Sequence, residues 1–203
     1  MQSFHWKVLR KGTLAVALGV GVMLAHSPDV RANDDDRGDE SQIKRGFAIA
    51  PVPLNLRGKN RALVGLGSYI VNAQGVCNDC HTIPPFAAGG DPYIGEPKKI
   101  NAAVYLGGGT PFGPFVSRNL TPDKSGRPLG GATFAEFLQI MRTGIDVDNV
   151  PPSPLLQVMP WPVYQNMTDR DLRAIYEYLS AIPCVEGDPG VAPPGPPTTG
   201  RCK

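Results

Sequence analysis

The chain has 203 residues, with 20 Lys and Arg against 18 Asp and Glu, a formal charge of +2. That length allows one ordinary domain with tails, and the lack of a basic run interleaved with aromatics excludes nucleic acid as a partner. Gly and Pro number 24 and 22 with no collagen-like period, which predicts long ordered loops and a modest core that a large apolar cofactor would help to fill.

Residues 1–32 read as a secretory signal. Lys7, Arg10 and Lys11 give a basic start, Thr13 to Ala25 an apolar stretch, and Val30-Arg31-Ala32 a cleavage site. The apolar stretch is short of the roughly 20 residues a spanning helix needs. Cleavage after Ala32 and a periplasmic destination are therefore expected, with membrane association only through partners or an uncleaved signal. Cleavage removes four of the 20 basic residues and one of the 18 acidic ones, leaving a net charge of about −1. It also removes His5 and His26, so His81 is the histidine that remains.

Residues 33–56 read as an acidic, Pro-containing N-terminal arm. Asn33 to Glu40 has no apolar content and is expected to be disordered, while Pro51 and Pro53 make Phe47 to Leu56 an extended segment. The domain proper spans residues 57–183. Asn60 is a candidate cap for a helix from Arg61 to about Ala73, with Leu63, Leu66, Tyr69 and Ile70 on one face and Gly75 as its stop. Gly65 and Gly67 weaken that helix but admit close approach by another. Residues 82–131 form a long loop-rich stretch. Thr133 and Glu136 make a capping box for a helix to about Arg142, ended by Gly144, with Phe134, Phe137, Leu138 and Met141 as its apolar stripe. Thr168 and Asp171 open a last helix through Ala181, buried along Leu172, Ile175, Tyr176 and Leu179 and stopped by Pro183. Residues 184–203 are a Pro/Gly-rich tail.

Cys77-Asn78-Asp79-Cys80-His81 is the C-x-x-C-H pattern of covalent haem attachment. Two intervening residues let one short turn offer both thiols to the two vinyl groups on one porphyrin edge, and the next residue brings an imidazole under the ring. C-x-x-C alone also occurs in redox disulfides and zinc sites. Zinc would need two further ligands, and a thioredoxin-like site would need a βαβ pattern that the sequence lacks. With no second histidine after cleavage, methionine is the natural sixth ligand. Met141, Met159 and Met167 are the candidates. Met141 sits in a helix stripe and Met167 just before a helix cap, where packing roles are usual. Met159 lies in the Pro-rich Val158–Pro162 stretch, whose rigidity suits a fixed ligand.

The chain resembles single-haem class I c-type cytochrome domains, above all those in the cytochrome subunits of periplasmic alcohol and related dehydrogenases. The matching residues are Gly67 to Val71, Cys77 to His81, Asn119-Leu120-Thr121-Pro122-Asp123, Phe134 to Gly144, Met159-Pro160-Trp161 and the final helix, within residues 57–182. The resemblance implies an all-α, cytochrome c-like fold of a few helices and long loops around one covalently bound haem. It also implies that Met159 is the axial ligand opposite His81, and that Arg118 and Asn119 run beside the haem edge. Arg118, Asn119 and Trp161 are then candidate propionate contacts. The chain departs from those subunits in having one haem motif where they carry several.

Cys184 and Cys202 lie outside the resemblance and are expected to pair in an oxidising compartment, the alternative being free or intermolecular thiols. The expected function is one-electron transfer between periplasmic or membrane redox proteins such as a dehydrogenase, an oxidase or another cytochrome, with no catalytic residue of its own. A haem enzyme or ligand sensor, peroxidase-like, with an open or displaceable sixth site is the alternative.

Overall fold

The computed structural model describes residues 34–146, 155–187 and 200–203; the expected signal over residues 1–32 lies outside them. Helix α1 spans Asp34–Ile49, where the sequence reading expects disorder and then an extended arm. The correction has a tertiary cause. Ile43 and Phe47 pack on the core, and the Ser68 hydroxyl donates to the Gly46 carbonyl at 2.7 Å. Glu40 and Lys44 pair at 2.7 Å one turn apart, Asp39 pairs with Arg170 at 2.5 Å, and the Arg61 guanidinium lies over the Phe47 ring. The extended path begins only after Ile49, and there the Asn55 amide donates to the Ala181 carbonyl at 2.8 Å.

Helix α2, Arg61–Tyr69, starts where Asn60 Oδ1 accepts the Leu63 amide. It continues as a π turn over Ile70–Gln74 and closes at Gly75. Val64, Leu66, Ile70 and Val71 are buried, whereas Leu63 and Tyr69 are half-buried. Burial is broader than one stripe because the helix is gripped from two sides. A Cβ on Gly65 would lie within 3.0 Å of Ile43 and Phe47 in α1, and one on Gly67 would lie 1.9 Å from the Ala174 carbonyl oxygen.

Helix α3 is the single turn Cys77–His81. The long loop-rich stretch is ordered by a bridge between Phe86 and Ile100, by two 3-10 turns at Pro92–Ile94 and Ala102–Val104, and by an antiparallel hairpin of β1 Pro111–Phe112 and β2 Phe115–Val116. A distorted turn, α4, follows at Pro128–Gly131. Helix α5, Phe134–Thr143, carries the reciprocal Thr133–Glu136 capping box and ends at Gly144 with φ 70°. The short α6 is Trp161–Tyr164.

Helix α7, Asp169–Leu179, is capped by Thr168 and packs on α2 through Gly67 and Ala174. Leu172, Ile175, Tyr176 and Leu179 are buried as its pattern demands, each side chain contributing about 1.5–3 kcal/mol when removed from water. The described residues are thus mostly helical with one small sheet. None of their helices is long and apolar enough to cross a membrane.

Candidate cofactor site

The α2–π turn–α3 run delivers the C-x-x-C-H motif to the wall of an apolar cavity of about 500 Å³. Ile70 and Val71 from the π turn, Phe137 and Ile140 from α5, and Ile175 and Leu179 from α7 line it. This size and lining suit a sizeable apolar ligand. Cys77, Cys80 and His81 all face it.

Both thiols are free. Burial pushes the Cys77 thiol up to about 12, and burial, then the Asp79 carboxylate, raises that of Cys80. Both therefore stay protonated at neutral pH. A zinc site would need more ligands than this pair, and among the described residues no group of three or more His, Cys, Asp or Glu side chains is placed to hold a metal ion. Cys184 and Cys202 are joined in a disulfide, with Cα atoms 5.7 Å apart, and supply no further thiolate.

His81 is held at two points. Its Nδ1 lies 2.7 Å from the Arg118 carbonyl oxygen, and its own carbonyl accepts the Gly108 amide at 2.8 Å. A carbonyl can only accept, so Nδ1 carries the proton and Nε2 keeps its lone pair. Burial lowers the imidazole pKa, against the opposing effect of the Arg118 bond, which favours this neutral form. Tyr164 donates its hydroxyl to the Gly75 carbonyl at 2.8 Å and braces the turn that leads into Cys77.

Met141, Met159 and Met167 all line the cavity. Met141 is 4% exposed within α5. Met159 stands on the non-helical segment before α6, which is fastened at several places. Its carbonyl accepts the Trp161 amide at 2.8 Å, and the Leu156 amide donates to the Gly144 carbonyl at 2.8 Å. The Trp161 ring fills the space beside Gly144, where a Cβ would meet it at 2.4 Å.

Of the three side chains expected beside the cofactor edge, the structure brings Arg118 to the cavity and not Asn119 or Trp161. The Arg118 guanidinium pairs with buried Asp146 and donates to the Leu129 carbonyl. The Asn119 amide donates to the Val185 and Gly187 carbonyls at 3.0 and 2.9 Å, and Trp161 Nε1 donates to the Leu156 carbonyl at 3.1 Å. Sequence reasoning missed Asp146 as a wall residue. It also missed the Arg118 carbonyl and Gly108 amide, because backbone groups leave no mark in residue identity.

A mostly helical fold that sets a C-x-x-C-H turn against an apolar cavity is compatible with a cytochrome c-like domain. No family model matches the chain, but individual proteins do. It is 35% identical over 137 residues to the alcohol dehydrogenase (quinone) cytochrome c subunit of Gluconacetobacter polyoxogenes, covering 66% of this chain and 24% of that one. It is 33% identical over 120 residues to the gluconate 2-dehydrogenase cytochrome c subunit of Pantoea cypripedii, covering 59% and 23%. With the fructose dehydrogenase cytochrome subunit of Gluconobacter japonicus it shares 33% identity over 79 residues, 37% of this chain and 15% of that one. The aligned part of the chain spans about a quarter of the length of the first two relatives. These similarities are consistent with a cytochrome c domain.

Proposed function

We propose that the chain is an exported single-haem c-type cytochrome that carries one electron at a time, with haem joined to Cys77 and Cys80 and iron held between His81 and Met159. The observation that carries this reading is the convergence of two free thiols and one oriented imidazole on a single apolar cavity. The donor set fits the group. Two thiols two residues apart suit the vinyl pair, an imidazole nitrogen and a thioether sulfur suit the iron, and the walls suit the porphyrin faces. When bound, haem supplies a reversible one-electron site.

The chain's own residues do the rest. Cys77 and Cys80 would tether the group, and the Arg118 carbonyl orients His81 and raises its basicity as a ligand. Ile70, Phe137, Ile140 and Leu179 exclude water. Arg118 is the wall cation that would meet a carboxylate on the group's edge. Met159 is preferred to Met141 and Met167 because its segment is non-helical and anchored through Trp161, Leu156 and Gly144.

Cleavage after Ala32 and a periplasmic location belong to the same proposal, since haem of this type is attached outside the cytoplasm. The relatives' names favour a dehydrogenase as electron donor, and the chain would act as its carrier or subunit rather than as an enzyme.

The test is a redox titration with optical spectra on wild type and Met159→Ala. The substitution should remove the low-spin methionine signature and lower the potential by more than about 59 mV, a tenfold change for one electron. Unchanged spectra would move the ligand to Met141 or Met167. A purified protein whose mass is that of its amino acids alone would end the haem reading.

A further inference from the structure

The peptide unit that receives the His81 Nδ1 proton is braced by the far end of the chain. Its oxygen belongs to Arg118 and its nitrogen to Asn119, and Asn119 is 4% exposed. The Asn119 amide grips the Val185 and Gly187 carbonyls, while its Oδ1 accepts the Thr121 amide and hydroxyl at 2.9 and 2.7 Å. The Val185 amide in turn donates to the Thr121 hydroxyl at 3.1 Å. From the other side, Arg201 Nη2 donates to the Thr121 and Asn119 carbonyls at 2.6 and 3.3 Å. The Arg201 carbonyl accepts the Lys124 amide at 2.9 Å. Glu186 ties the two ends of the tail together by accepting the Arg201 and Cys202 amides at 3.0 and 3.2 Å. The Cys184–Cys202 disulfide closes this arrangement covalently.

We propose that residues 184–187 and 200–203, joined by the disulfide, form a strap that fixes the Arg118–Asn119 peptide and through it the orientation of His81, with Asn119 and Arg201 as positioning residues. Wherever the strap is loosened, the Arg118 carbonyl gains freedom and its hydrogen bond to Nδ1 weakens. A weaker bond makes the imidazole a poorer donor. On the haem reading above, that disfavours ferric iron and raises the potential. The mechanical half of the proposal does not depend on haem.

The experiment uses the full-length protein as purified, with Arg201→Ala, Arg201→Lys and the double variant Cys184→Ser/Cys202→Ser. Hydrogen exchange at the Leu120 and Thr121 amides reads the strap, and a redox titration reads its effect on His81. Arg201→Ala and the double variant should speed exchange at these amides about tenfold. They should also raise the ferrous-to-ferric ratio at a fixed electrode potential severalfold, and Arg201→Lys should recover part of both. Unchanged exchange in the folded variants overturns the strap. Faster exchange with an unchanged potential overturns its link to His81. If the double variant does not fold, Arg201→Ala, which keeps the disulfide, decides. Protein without haem would refute the proposed function, and the exchange result would still decide the strap.

Discussion

Asn72 closes a ring of three hydrogen bonds. Its Nδ2 donates to the Tyr178 hydroxyl at 3.1 Å, and Tyr105 donates to its Oδ1 at 2.5 Å. The two hydroxyls are 3.1 Å apart, so with the Tyr105 proton committed to Asn72, Tyr178 donates to Tyr105. Burial pushes both phenols above their ordinary pKa, which keeps the protons the ring requires. Asn72 also reaches the Ser68 carbonyl and hydroxyl at 2.9 and 3.2 Å. Asn72→Ala strands these partners together, and since one buried unsatisfied group costs about 1–3 kcal/mol, denaturant unfolding should show at least that loss. This ring was not legible in the sequence, because Asn72, Tyr105 and Tyr178 are far apart in the chain and an asparagine in an apolar run has no single meaning. The C-x-x-C-H motif, by contrast, stands out in the sequence because its residues are adjacent.

At the scale of the element, capping chemistry was readable and docking was not. Asn60, Thr133, Gly144 and Thr168 all stand at helix ends as their types predict, since a cap is a local bond. Glu136 shows the consequence for pH. The Thr133 amide and hydroxyl both donate to it, and these bonds, the amide's first, hold its carboxyl below the ordinary value of 4.5. Its folded pKa is depressed, so its contribution is present above the unfolded value and fades as pH falls through the folded one. Wild type should melt above Glu136→Gln at neutral pH, and the gap should close on acidification below the folded value. Helix α1 was misread because an acidic, apolar-poor segment gives no sign of the partner that orders it. Gly65 and Gly67 did announce close approach, though not that they serve different helices. Gly67→Ala would drive a methyl into the Ala174 backbone, which cannot yield as a side chain could. Calorimetry should show a loss of about 1–3 kcal/mol.

Across the whole molecule, the cavity draws its walls from residues 70 to 179, and no single segment defines it. The motif, the final helix and the methionine candidates could be named in advance. The Pro-rich segment of Met159 singles it out, but that all three methionines reach the cavity was not legible, since their distance from it depends on tertiary packing. The fate of Asn119 was equally hidden, because its partners lie in a tail outside the resemblance. The two close approaches along α2 carry a further consequence. A helix turns about 100° per residue, so Gly65 and Gly67 present contacts about 200° apart, nearly opposite. Such a rod is clamped like a key with teeth on both edges and cannot spin about its axis without striking one neighbour or the other. Ile70 and Val71 extend the same rod, so the angle at which they meet the cavity is set a full turn upstream, by two residues that never touch it.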